Sequence, residues 1–383
     1  MKKTQPTEVR RRKLATHPLC GADLKTLLRL FLSNGAIEWE RFVDLLMIGC
    51  SAAARIPFNA LERGLFDRQL NNSNSGKPPV FILGHWRSGT THLYNILSKS
   101  PKFGYLPPIA TGIPWNMLTL GRWLEPLLLN TLPSERFIDN VPVMPDAPQE
   151  DEIALANMTK PSFYHGLYFP SRFDEHFNRG VYFRGCAPLE VENWKQTFQY
   201  FMRKLSILHS GRPILVKNPV YTARVSLLQA MYPEAKFIHI HRNPYRVFES
   251  MKNFYSNLFH ELAFQNYDHL SIPDIVLEHY PPIMDRLISD TEHMRSHQFI
   301  ELGYDELDQH PLSALRQIYE GLNLGAFEED EGTFTKYLDS VKQYQKNPYS
   351  HNSETIEKVN RYWGNYVDRW GYEVPGKQQG VAR

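Results

Sequence analysis

Three short stretches of this 383-residue chain carry the residue types that bind and displace anionic groups. In the first, VFILGHWRSGTTHLYNIL from Val80 to Leu97, Gly84 and Gly89 bound a loop that holds Arg87 and Ser88 and runs into Thr90, Thr91 and His92. Glycines permit the tight turn that aims successive backbone amides at one anion, and the N-terminus of a following helix adds its own unpaired N–H groups. Loops of this outline that handle magnesium triphosphates carry lysine directly after the second glycine, where this chain has Thr90. A guanidinium, hydroxyls and amides without that lysine suit a shorter anion. In the second stretch, KFIHIHRNPYRVFESMKNFYSN from Lys236 to Asn257, an apolar run ends at Arg242 and Pro244 suits the first turn of a helix. Asn243, Val247 and Ser250 then share one helical face. Arg242 offers paired charge-assisted bonds to a phosphate, and Ser250 adds a directional donor. In the third, ILVKNPV from Ile214 to Val220, an apolar strand delivers Lys217, an ammonium able to offset charge on a departing oxygen.

The elements that must position these groups are legible as apolar runs. Val80 to Leu83, the run at Ile214, the run at Phe237 and Gln298 to Leu302 are short, apolar and separated by segments of helical period, a pattern that predicts a parallel sheet covered by helices. The fold class expected is α/β: a P-loop-like parallel sheet flanked by helices, with N-terminal helices and a large insertion. Residues 1–76 read as a helical extension ending in the polar run Asn71 to Lys77, residues 77–325 as the core, and 326–383 as a C-terminal segment. Within the core, about 101–211 is too long for a simple crossover and is rich in Pro and aromatics. An insertion of that size above the strand ends is where an acceptor pocket is built. Trp115, Trp123, Phe163, Tyr164, Tyr168 and Phe169 in it suit either an apolar acceptor or a packed core.

The two anion motifs, in this order, resemble those of the PAPS-dependent sulfotransferase family, of the bacterial type related to tyrosylprotein-type enzymes. PAPS is 3′-phosphoadenosine 5′-phosphosulfate. The resemblance implies that Arg87, Ser88, Gly89, Thr90, Thr91 and His92 hold the 5′-phosphosulfate, without a metal, and that Arg242 and Ser250, eight residues apart, grip the 3′-phosphate. It places Lys217 beside the sulfonate and makes Lys217 and Arg87 the groups that stabilise the leaving phosphate. The segment GYDELDQHPLSALRQIYEGL after Leu302 is similar to the family's tyrosine-acid-acid-leucine turn and makes Tyr304 a neighbour of the adenine, or simply a tyrosine packed at a strand end. A C-terminal segment carrying Lys346, Tyr349, Ser350, Lys358, Trp363 and Trp370 would close over the nucleotide. One departure stands out: relatives often read Lys-Ser-Pro-x-His where this chain has Lys217-Asn218-Pro219-Val220-Tyr221.

The function so implied is transfer of a sulfuryl group from PAPS to a hydroxyl by in-line displacement, which needs a base for the acceptor's proton. The tyrosylprotein type places a glutamate shortly after the loop helix, where this chain reads GYLPPI with no acid. The nearest acids are in Gln149-Glu150-Asp151-Glu152; Glu152 is the first candidate and Glu150 the second, although acids there also suit a helix N-terminus. His85 and His92 are rivals. Two other readings stand beside this one: a P-loop kinase or nucleotide hydrolase, against which Thr90 speaks, and a non-catalytic module that binds 3′-phosphoadenosine nucleotides.

Composition agrees with a large α/β protein. A hydrophobic content of 42% supports a sizeable core, a net charge of +2 makes no case for nucleic acid, and three scattered cysteines form neither a disulfide framework nor a zinc pattern. A reducing, cytoplasmic setting is the expectation. The acceptor class expected is a small-molecule or lipid-like alcohol. The uncharged stretch Leu45 to Ala54 is far too short to span a bilayer. The basic cluster Arg10 to Lys13 ahead of the helix-like Leu24 to Leu32 is either a solvated tail or a contact for an anionic membrane surface.

Overall fold

The computed structural model describes residues 17–72, 76–129, 147–342 and 352–375. Four strands, β1 (Val80–Leu83), β2 (Leu215–Lys217), β3 (Lys236–His241) and β4 (Phe299–Gly303), form one parallel sheet in the order β2-β1-β3-β4. Val80 pairs with Leu215 on one side and Lys236 on the other, and Phe237 pairs with Phe299. β1 is buried along its whole length because both faces of the sheet are covered. The two-residue period sorts its side chains: Val80 and Ile82 enter one core with Leu215, Ile238 and Leu302, while Phe81 and Leu83 enter the other with Val216 and Phe237.

Helices α1 (Leu24–Ser33), α2 (Phe42–Ala54) and α3 (Ile56–Asn72) precede the sheet, and α4 (Thr90–Leu97) follows β1 directly. The N-terminal extension is not a separate body: Leu19, Leu27, Leu30 and Ile48 belong to the same apolar cluster as Phe81 and Phe237. In the insertion, Phe163, Tyr164, Tyr168 and Phe169 are buried in that cluster as well, so the core accounts for them. Trp115 is half-buried and donates to the Asn157 carbonyl, and Trp123 is exposed. The basic cluster Arg10 to Lys13 and the tail residues Lys346, Tyr349 and Ser350 lie outside the described residues.

The order of the strands decides where a ligand can sit. The chain leaves β1 toward β2 on one side and leaves β3 toward β4 on the other, so a crevice opens between the carboxyl ends of β1 and β3. All four strand ends carry groups singled out in the sequence: the Gly84–Gly89 loop, Lys217, Arg242 and Tyr304. Residues spread over more than 200 positions therefore meet along one edge.

Candidate active site

The loop after β1 is a curled backbone. Gly84, Arg87 and Gly89 have φ of +146°, +71° and +102°, the last two in the left-handed region, where a non-glycine residue such as Arg87 is uncommon. Alternation of this kind turns consecutive N–H groups toward one point, and α4 begins immediately afterwards at Thr90. The Gly84 N–H is itself used, donating to the Thr222 hydroxyl at 2.9 Å and so tying the loop to the segment after β2.

The two anion motifs meet. Arg87 Nε donates to Ser250 Oγ at 2.8 Å, and Arg242 donates to the Arg87 carbonyl at 3.2 Å. Ser250 is held there by the helix Pro244–Leu262, which Asn243 starts by accepting the Tyr245 N–H at 3.0 Å. Arg242 lies over the Tyr304 ring, 4.3 Å from its centroid, and Gly89 is pressed against the same ring: a Cβ there would stand 2.1 Å from Tyr304 Cδ2. Ser88 Oγ and Arg242 Nε are buried and make no hydrogen bond among the described residues, an arrangement whose desolvation cost an anion between them would offset. On these grounds the residues present fit a bound phosphate pair. Thr90 is buried at the start of α4, Thr91 is half-buried beside it, and the His92 ring lies 6.4 Å from that of Tyr304.

The other half of the site surrounds Lys217. Its ammonium donates to Glu150, the residue that caps the short helix Asp151–Ala156. Lys217 is buried and Glu150 keeps a fraction of its side chain open, 19%. Glu152 is placed differently. It is buried, its Oε1 accepts from the Ser162 hydroxyl at 2.7 Å and the Phe163 N–H at 2.9 Å, and its Oε2 accepts from Asn218 at 2.9 Å. Both oxygens are thus engaged in holding the insertion to the strand end. Asn218 also donates to Asp151 at 2.9 Å, and the Tyr221 hydroxyl donates to the same carboxyl. Burial pushes Asp151 up to about 8; the Tyr221 bond works against this and the neighbouring Glu152 charge adds to it. Tyr221, where relatives have histidine, is fully buried against Phe81 and Phe198, with its hydroxyl raised by burial and the Asp151 charge. Its hydroxyl is spent on Asp151 inside the core.

His85 is buried between Trp86 and Tyr280, with Nδ1–H donating to the Trp86 carbonyl at 3.0 Å; burial brings it down to about 4, so it is neutral at pH 7. At the far end of β3, His241 stacks on Trp370 at 4.8 Å, and Tyr372 Oη lies 2.7 Å from its Nδ1. The C-terminal helix Ser353–Arg369 therefore delivers its end beside Arg242. Thr222, Asn218, Asp151 and Tyr372 were not singled out in the sequence as site residues. Asn218 directly follows the apolar strand β2, the one local signal that marks it, and Thr222 lies in the next turn, Pro219–Ala223.

Comparison with known proteins agrees with this geometry. The family model described as "Sulfotransferase family" matches residues 78–329. The chain is 28% identical over 357 residues, 92% of its length and 90% of the relative's, to omega-hydroxy-beta-dihydromenaquinone-9 sulfotransferase Stf3 of Mycobacterium bovis and of Mycobacterium tuberculosis. Among solved structures, sulfotransferase STF9 from Mycobacterium avium superposes with a TM-score of 0.66 at 19% identity, covering 87% of each chain. Sulfotransferase STF1 from Mycobacterium tuberculosis gives 0.60 at 16% identity, covering 88% of this chain and 90% of that one. A family match over most of the chain, a parallel sheet shared with two sulfotransferases and a double anion site at its edge lead to one conclusion: the chain belongs to the sulfotransferase family, a family of PAPS-dependent enzymes.

Proposed function

We propose that the chain moves the sulfuryl group of PAPS to the hydroxyl of a lipid-like acceptor. The observation that carries this is the junction of Arg87 with Ser250 at 2.8 Å and of Arg242 with the Arg87 carbonyl at 3.2 Å, which makes one site with two anion-binding halves. The curled loop and α4 receive the 5′-phosphosulfate, and Arg242 with Ser250 receives the 3′-phosphate. Tyr304, fixed between Gly89 and Arg242, is the platform for the adenine.

Lys217 and Glu150 supply the chemistry at the sulfur. An incoming phosphosulfate competes for the Lys217 ammonium and so loosens its bond to Glu150. Glu150, the partly open acid, then accepts the acceptor's hydroxyl proton as that oxygen forms its bond to sulfur. The bond from sulfur to the bridging oxygen breaks, its electron pair stays on the departing 3′-phosphoadenosine 5′-phosphate, and Lys217 and Arg87 offset the new charge. Glu152 and Asp151 are positioning residues in this scheme: through Asn218 they hold β2's end against the insertion. A lipid-like acceptor is supported by the relative whose name gives a hydroxylated menaquinone as its substrate.

Calorimetric titration of the metal-free protein tests the donor half. The product 3′-phosphoadenosine 5′-phosphate should bind far better than AMP or magnesium-ATP. Arg242→Ala should cost about 3 kcal/mol, roughly a hundredfold, for a lost charged pair of bonds. Indifference to the 3′-phosphate, or a preference for magnesium-ATP, would return the loop to a kinase-like role.

A further inference from the structure

Helices α2 and α3 present apolar side chains outward as well as toward the core. Every exposed position from Phe42 to Leu61, across α2 and the start of α3, carries an apolar side chain, among them Phe42, Leu46, Met47, Ile56 and Leu61. The charged residues of the same stretch face the protein. Arg55, at the joint of the two helices, is buried and donates to the carbonyls of Gly21 at 3.1 Å and Ala22 at 2.7 Å. Just past the stretch, Glu62 is buried against Lys204 and accepts the Leu118 and Thr119 N–H groups at 2.9 Å each. Asp44 pairs with Arg41 at 3.8 Å. At one end of the apolar face, Trp39, 80% exposed, stacks on Phe42 with centroids 5.6 Å apart. On α1, Leu24, Leu28 and Leu32 make a second exposed stripe at four-residue spacing.

We propose that this face docks on a bilayer that contains anionic lipids, with α2 and α3 lying along the interface. Three observations choose that occupant. First, residues 1–13 hold six Lys or Arg against the single acid Glu8, and this stretch leads in sequence into the turn Pro18–Gly21 on which α2 packs. A basic stretch joined in sequence to an apolar face attracts anionic headgroups and would repel its own copy across a two-fold interface. Second, an exposed aromatic pair at the margin of an apolar face suits the headgroup level. Third, α2 and α3 are bent by 41° and give their inner side to the protein body along its length, through Arg55 and Glu62, so they lie on a membrane and do not cross it.

The docked face is joined to the candidate site. Arg55 grips the turn Pro18–Gly21, and Gly21 sits so close to Gly112 and Asn157 that an added Cβ would stand 2.2 Å from one and 2.7 Å from the other. Asn157 ends the helix that Glu150 begins. The apolar face is thus linked, through the turn Pro18–Gly21 and the helix Asp151–Ala156, to Glu150, which on the sulfotransfer reading suits an acceptor drawn from the lipid phase.

Co-sedimentation of the full chain with vesicles tests the proposal. One set is phosphatidylcholine alone and the other phosphatidylcholine mixed with phosphatidylglycerol. The protein should pellet with the mixed vesicles and be released by salt. Val43→Glu with Leu46→Glu, both at exposed positions, should lower partitioning by roughly tenfold or more. Leu189→Glu, an exposed leucine on the helix Pro188–Leu208, should leave it unchanged. Circular dichroism and the denaturation midpoint confirm that each variant is folded. Protein that stays in the supernatant with both vesicle types, or a double variant that pellets like the parent, overturns the proposal. So does a vesicle-free dimer that the double variant splits, because the face is then covered by a second copy. The readout involves neither PAPS nor turnover, so its failure and a failure of the sulfotransfer scheme are separately visible.

Discussion

Gly89→Ala is the change whose consequences follow most directly from the geometry. Gly89 holds φ +102°, a region that costs an alanine about 1–2 kcal/mol. Its new Cβ would stand 2.1 Å from Tyr304 Cδ2, against an ordinary contact of nearly twice that, and Tyr304 is buried and so has little room to yield. Forcing a ring to shift in a packed site costs about 1–3 kcal/mol more, for a total of about 2–5 kcal/mol. Because Arg242 rests on the same ring, the 3′-phosphate half of the site moves too, and affinity for 3′-phosphoadenosine 5′-phosphate should fall by roughly tenfold or more. The assay is urea denaturation and calorimetric binding of four proteins: the parent, Gly89→Ala, Tyr304→Ala and the pair. Removing the ring first removes the collision, so the two changes should couple by about 1–3 kcal/mol, with the alanine at 89 then costing its backbone share alone. Additivity within about 0.5 kcal/mol, or a Gly89→Ala midpoint equal to the parent's, would refute the contact between the loop and Tyr304.

The remaining predictions concern the acids and one buried pair. Glu150→Gln should lower kcat by roughly 10²–10⁴, as expected of a general base, when assayed as sulfate transferred from PAPS, with the stability loss held down because the amide oxygen still accepts from Lys217. Glu152→Gln should do the reverse, costing roughly 2–4 kcal/mol in urea denaturation, because a neutral amide leaves at least one of its three donors without an acceptor. Folded Asp151 holds its proton up to about 8 and unfolded Asp151 loses it near 3.8, so between those values the folded state binds the extra proton. Stability should therefore fall as pH rises through that window, by up to about 1.4 kcal/mol per unit, and Asp151→Asn should flatten the slope in denaturation midpoints measured from pH ~5 to ~8. Lys204→Met should cost about 3–5 kcal/mol by leaving Glu62 buried without its cation, visible as a lower melting temperature.

The residues of the proposed anion-binding half were legible because the elements that position them are local. Gly84, Gly89, Arg87, Thr90, Arg242 and Ser250 lie within two strand-loop-helix units, where strand period, loop curl and helix start are set by neighbours in sequence. The parallel sheet was legible for the same reason, since runs buried on both faces are apolar throughout. Even so, local pattern left open which acid serves as the base. Glu150 and Glu152 are two residues apart at one helix start, and the sequence reading puts Glu152 first and Glu150 second, the reverse of the proposed order.

The folded chain gives the two acids different surroundings, through contacts that no local pattern encodes. Asn218, 66 residues away, and Ser162 take up Glu152's oxygens, while Lys217 meets Glu150, the acid left partly open. The same is true of Arg87 on Ser250, 163 residues apart, and of Tyr221, whose hydroxyl is consumed by Asp151 inside the core. Read alone, the sequence carries the residue types suited to two phosphates, the strands that end beside them and the family they belong to. Only the folded chain decided which carboxylate is buried, which is open and which apolar helix face is left outward, because burial depends on packing between segments far apart in sequence.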